Sequence, residues 1–260
     1  MESSFSWFLM LPFVHGNHDM DAILGAWLVS GVLIVLALMA RGQLNAALAR
    51  SGSARYLPDE RLTVRTFFEL VLEFILGFMK NIMGSEGAQK WAWFISPIFL
   101  YIFFCNIMGV IPGFLPPTEN INTNLAISVL VFFVYNIAGI RAQGAVNYFK
   151  HFLGPVWWLA WFMVIVETVS HLVRPASLAV RLFGNINGDH IVLSIFSAIL
   201  PGESGFDVKA LSFGIPIPFL GLGMFVSFMQ AFVFSLLTTV YISMATSHES
   251  HDESHGSAHH

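Results

Sequence analysis

The sequence predicts an all-α membrane protein with about five crossings, an interfacial amphipathic helix, and a long tilted hairpin made by its last two helices. Three observations carry that prediction. Of the 260 residues, 56% are hydrophobic and only 11% charged, against about a quarter charged in an average soluble domain. Apolar runs of crossing length recur, with the basic residues gathered at alternate ends. The 26 Phe and seven Trp add more apolar surface than one soluble core of this size can hide.

Leu24 to Ala40 is apolar throughout, long enough for a hydrocarbon core of about 30 Å. Arg41 follows at once, then Arg50, Arg55, Arg61 and Arg65, so five of the twelve basic residues lie within 25 positions. That cluster puts this end of the crossing in the cytoplasm and the N-terminus outside. Met1 to Phe13 does not read as a signal peptide, because Glu2 stands where a basic residue is expected and the apolar run is short. Residues 62 to 83 differ. Arg65, Glu69, Glu73 and Lys80 share one broad helical face and Phe67, Leu70, Val71, Ile75 and Phe78 cover the rest, a pattern that favours a helix along the cytoplasmic interface over a buried hairpin arm.

Trp91 to Val110 reads as the second crossing, with Trp91 and Trp93 as interfacial anchors. It ends in IPGFLPPTENINTN, a turn without Lys or Arg, as suits an external loop. Leu125 to Ile140 returns inward to meet Arg141 and Lys150. Two longer apolar stretches follow, Trp157 to Leu200 and Ile215 to Met244. A straight helix over the first would span about 66 Å, twice the membrane, so it is either broken near Pro175, Gly184 and Gly188 or strongly tilted.

The domain plan is an external segment over 1–23, a membrane domain over 24–246, and a disordered His-rich cytoplasmic tail over 247–260. The tail's five histidines, and His15, His18, Asp19 and Asp21 at the other end, read as solvated groups in preference to a metal site. No cofactor is implied. The net charge of −4 and the grouping of the basic residues beside an apolar run point to membrane topology and away from nucleic acid. Cys105, alone in the chain, reads as a small core residue.

Charged side chains inside crossings are costly, and each marks a functional hypothesis. Here they concentrate in one segment. At 100° per residue Glu167, His171, Arg174, Arg181, Asn185 and Asp189 fall within about 80° of one another. His190 stands off this stripe, and Pro175 makes it firmer over 176–190 than across the proline. Arg181 is flanked by apolar residues with no carboxylate within four positions. Its guanidinium stays charged at any usable pH, so it needs an anionic partner. The stripe alone leaves open a static ion pair with Glu167 or Asp189.

PASLAVRLFGN, preceded by NIMGVIPGFLPPTENINTNLAIS and followed by FMQAFVFSLLTTVYISMA, resembles the a subunit of F-type ATP synthases, over roughly residues 62 to 246. The resemblance implies a proton-translocating stator subunit of the Fo sector with two half-channels and no catalytic chemistry of its own. Arg181 would meet the carboxylates of a c-subunit ring. Ser177 and Asn185 would be polar positions near it. Glu167, Asp189 and His190 would be titratable positions along the half-channels. Gln230 would face Arg181, with Tyr241 on the same side of its helix. Partners would be the c-ring, the b subunits of the peripheral stalk, the remaining synthase subunits and membrane lipid, in a bacterial inner membrane. One departure stands out: where many family members carry His or Glu seven residues before the glutamine, this chain has Gly223. The partner of His190 is then Asp189, Glu167 or water. The alternative reading is a free-standing ion or solute transporter, which would usually show internal repeats and more crossings.

Overall fold

A computed structural model of the chain describes residues 18–48, 63–111, 114–144 and 216–246, together with helical positions between 161 and 188. The described elements are helices: α1 (His18–Leu48), α2 (Val64–Val110), a short 3₁₀ turn (Pro117–Glu119), α3 (Ile121–Gln143) and α4 (Pro216–Thr246). Four stretches are long and apolar enough to cross a membrane, Met20–Ala47, Val64–Val110, Ile121–Gln143 and Gly221–Thr246. Further positions of the fifth expected crossing, and both terminal segments of the domain plan except residues 18–23, lie outside the described residues. Helix α1 begins at His18, within the segment expected to be external, and Asp21 is buried there at 1% exposure instead of solvated.

The packing is that of a chain turned toward lipid. Trp27, Ile34 and Leu38 of α1 and Phe133 of α3 are exposed, whereas Ser128, Ser227, Gln230, Thr238 and Thr239 are buried. These hydroxyls bond their own helix: Ser227 donates to the Gly223 carbonyl at 2.7 Å, Thr238 to the Phe234 carbonyl at 2.9 Å and Thr239 to the Ser235 carbonyl at 2.8 Å.

Helix α2 starts at Thr63, whose hydroxyl accepts from the Thr66 N–H, an N-cap that satisfies one orphan donor. It is two arms joined at Gly84, where φ is +75°, a backbone region open chiefly to glycine. Phe74, ten residues before the joint, has its ring 6.2 Å from that of Phe99, fifteen residues after it. Arms at a right angle would hold those Cα atoms about 27 Å apart at 1.5 Å per residue, too far for the rings to meet. The arms therefore fold sharply together. Phe74 and Phe78 also pack on Phe232, and Phe74 on Phe228, both of α4. Ile75 and Met79 are fully buried, while Glu69, Glu73 and Lys80 face outward.

The expectation of an amphipathic helix over residues 62–83 gains a packing detail. The amphipathic face is there and is shared: Ile75 and Met79 pack against neighbouring helices, while Phe67 and Leu70 stay exposed. Amphipathicity tells which face is apolar, not whether lipid or protein covers it.

Helix α4 runs along both arms and beside α3. Gln143 Nε2 donates to the Ala245 carbonyl at 2.9 Å, and the Tyr135 and Tyr241 rings lie 6.0 Å apart, so α3 and α4 run parallel. At the other end α1 meets α2 and the turn. A Cβ on Gly25 would fall 2.8 Å from Met108 Cε and 3.0 Å from Pro117 Cγ, and one on Gly109 would fall 2.8 Å from Pro116 Cγ.

Gly109→Ala should therefore lower stability by about 1–3 kcal/mol, because a proline ring cannot step aside as a flexible side chain can. Gly31→Ala, with nothing within 4 Å of the new Cβ, should be nearly neutral. Thermal unfolding in detergent compares the two, and equal midpoints would contradict the close approach.

Candidate functional site

Two arginines seven residues apart have different surroundings. Arg174 is half-buried and holds its guanidinium carbon 5.4 Å from the centre of the Tyr241 ring. Arg181 is helical and exposed. Among the described residues no carboxylate lies within ion-pair distance of it. The single charged stripe expected across Pro175 is thus divided: one cation is housed by the chain's own aromatic rings and the other is presented outward.

The surroundings of Arg181 follow helical spacing. Ala179 is buried at 2% exposure and marks the inward face. Ser177, Arg181, Gly184 and Gly188 fall within about 60° of one another on the opposite side. Ser177 and Gly184 are exposed, as is Val180 nearby. A Cβ on Gly184 or Gly188 would meet no atom within 4 Å. Among the described residues the face around Arg181 thus carries small side chains, with open space beside Gly184 and Gly188.

Glu167, His171, Asn185, Asp189 and His190 lie outside the residues whose side chains are described. Gln230 is buried at 4% exposure on α4. Tyr241, on the same helix, is half-buried between Arg174 and Tyr135. Gly223 has a local reason for its size. A Cβ there would approach Val110 Cγ2 at 3.3 Å, so a His or Glu at this position would have to displace Val110 on α2.

One polar group was not foreseen from the sequence. Asn106 of α2, Thr118 of the turn, and Asn124 and Ser128 of α3 are all buried. Thr118 Oγ1 donates to Asn106 Oδ1 at 2.8 Å, and Asn124 Nδ2 donates to the Thr118 carbonyl at 2.7 Å. Asn106 Nδ2, Asn124 Oδ1 and Ser128 Oγ have no partner among the described residues. Buried amide and hydroxyl atoms in this state are sites for ordered water. The signal was present in TENINTN, whose Asn and Thr residues read only as loop polarity, and in Asn106, which sits in an otherwise apolar run.

Residues 23–243 match the family model described as ATP synthase A chain. The chain belongs to that family. The match reaches back through α1, beyond the motifs that carry the resemblance. Among A chain relatives, ATP synthase subunit a of Bdellovibrio bacteriovorus is 41% identical over 246 residues, 95% of this chain and 99% of its own. That of Geobacter sulfurreducens is 38% identical, covering 90% of this chain and 91% of its own. That of a Sulfurihydrogenibium species is 42% identical over 72% of this chain and 84% of its own. Family membership and the apolar helices together make this a multi-pass membrane protein of the ATP synthase A chain type.

Thr118→Val keeps the shape of the turn but leaves Asn106 Oδ1 without its donor. It should cost about 1–3 kcal/mol, the usual penalty for stranding a buried polar atom. The thermal midpoint of the variant reads the loss, and an unchanged midpoint would show that water already serves Asn106.

Proposed function

We propose that this chain is the proton-translocating stator subunit of the Fo sector of a rotary F-type ATP synthase, facing a ring of c subunits in a bacterial inner membrane. The observation that carries the reading is Arg181, exposed on an outward strip with Ser177, Gly184 and Gly188. A permanently charged group in lipid costs several kcal/mol on any current scale. A neighbour bearing a carboxylate removes that cost, and small residues around the arginine let the neighbour's helix come close.

The mechanism follows from protonation. A ring carboxylate is heavily penalised in lipid when ionised and crosses it readily when protonated. Arg181 favours the ionised form where the two meet, so a proton leaves the carboxylate on arrival and another joins on departure. The same positive charge repels protons and prevents a direct leak between the half-channels. Glu167, Asp189 and His190 serve as titratable positions along those half-channels, and an imidazole with a pKa near 6.5 suits relay work at neutral pH. Ser177, Asn185 and Gln230 supply polar contacts around the arginine, and Tyr241 closes the inner side. The polar group of Asn106, Thr118, Asn124 and Ser128 offers wettable atoms at the end of α2 that the loop charges assign to the outside.

Each proton moving through a 100 mV potential releases about 2.3 kcal/mol, so several protons serve each ATP. The chain itself holds no nucleotide chemistry in this reading. The N-terminus lies outside and the C-terminal tail in the cytoplasm, with the b subunits of the peripheral stalk and the rest of the synthase holding the chain against rotation.

Arg181→Ala should abolish ATP-driven proton pumping in inverted membrane vesicles while membrane-bound ATPase, the measure of assembly, persists. Pumping that survives the substitution would remove the basis of the proposal.

A further inference from the structure

The exchange chemistry assigned to Arg181 makes no use of Arg174, yet Arg174 is the better-housed cation. Its guanidinium carbon lies 5.4 Å from the centre of the Tyr241 ring. The Tyr241 ring centre lies 6.0 Å from that of Tyr135. Tyr135 is 1% exposed, and Arg174 and Asn136 lie near enough to act on its hydroxyl. Three segments therefore meet at one guanidinium: the helical residues that carry Arg181, α3 through Tyr135, and α4 through Tyr241.

The residue types suit the task. A planar guanidinium can lie against an aromatic face and still direct its N–H groups to a hydroxyl at the edge, which an ammonium does poorly. Away from water both contacts gain strength. The Gln143 to Ala245 hydrogen bond fastens α3 to α4 one to two turns further on, so Arg174 docks onto a pair of helices already tied together. Arg181 is two turns along, about 10 Å away, and exposed.

We propose that Arg174 is a positioning residue for exchange at Arg181. Held between Tyr241 and Tyr135, it fixes the segment bearing Arg181 against α3 and α4, so that the strip of Ser177, Arg181, Gly184 and Gly188 stands at a set distance from the rotor. The inference rests on the rotor-facing role of Arg181. It differs from that role in kind: Arg174 acts through the placement of another side chain and does not meet the ring carboxylate.

The test uses the whole complex in its membrane. A cysteine is placed at Ser177, on the outward strip, and another on the c subunit beside its carboxylate; the native Cys105 is buried. Oxidation should cross-link the two in this parent. Arg174→Gln should lower both the cross-link yield and the pumping rate roughly two- to thirtyfold, the range that loss of a cation–π contact covers, at an unchanged level of the chain in the membrane. Arg174→Lys should recover part of each, and Arg174→Gln combined with Tyr241→Leu should be no worse than the more damaging single change. Where Arg174→Gln fails to insert, Tyr241→Leu removes the same contact and leaves the cation in place. Equal cross-linking and pumping with and without the contact, or fully additive effects, would overturn the positioning role alone. A parent that gives no cross-link would overturn the rotor-facing reading of Arg181, and the positioning role with it.

Discussion

A guanidinium cannot shed its charge to suit an apolar environment, and that constraint organises the whole chain. Carboxylates, imidazoles and amines can neutralise themselves in lipid; arginine must be met by something else. Arg174 is met by the rings of the chain itself. Arg181 is exposed, on a strip whose glycines leave open space beside it. The same chemistry thus appears twice within eight residues, once against the chain's own ring and once, in the proposed reading, facing a neighbour.

The inner side of the fold is held by interlocking contacts. Phe74, Phe78, Phe99, Phe228 and Phe232 interlock two arms of α2 with α4, and the hydroxyls of α4 turn back onto their own helix carbonyls. Close approaches at Gly25 and Gly109 seat α1 and the proline turn against the end of α2. In lipid the hydrophobic effect gives helices little reason to associate, so shape, aromatic contact and buried polar bonds do the holding. The buried amides of Asn106 and Asn124 belong to this scheme only in part, since each keeps one polar atom unpaired among the described residues.

The apolar runs made the crossings legible, because the bilayer leaves few alternatives to a helix. Leu24 to Ala40 and Leu125 to Ile140 fall inside observed helices, and Ile215 to Met244 coincides with one from Pro216 onward. Arg181 was legible for the related reason that a lone cation in such a run is expensive. What the sequence hid were relations between segments. The arm 64–83 has a clear apolar face, but only the fold shows that Phe74 meets Phe99 and Phe232. Arg174 and Arg181 share a helical stripe by spacing, and only the fold shows that Arg174 meets the Tyr241 ring while Arg181 is exposed. Asn106 and Asn124 are far apart in sequence, and Thr118 joins them only when the turn closes.

In the proposed reading the charge at position 181 is answered by an acid on another polypeptide. Electron cryomicroscopy of the assembled membrane complex tests it most directly, by locating the guanidinium and its nearest carboxylate. The account predicts a ring carboxylate within about 4–6 Å of Arg181, near enough to favour its ionised form, with small residues of the strip against the ring helix. An Arg181 paired with Glu167 or Asp189 of its own chain, with lipid along that face, would contradict it.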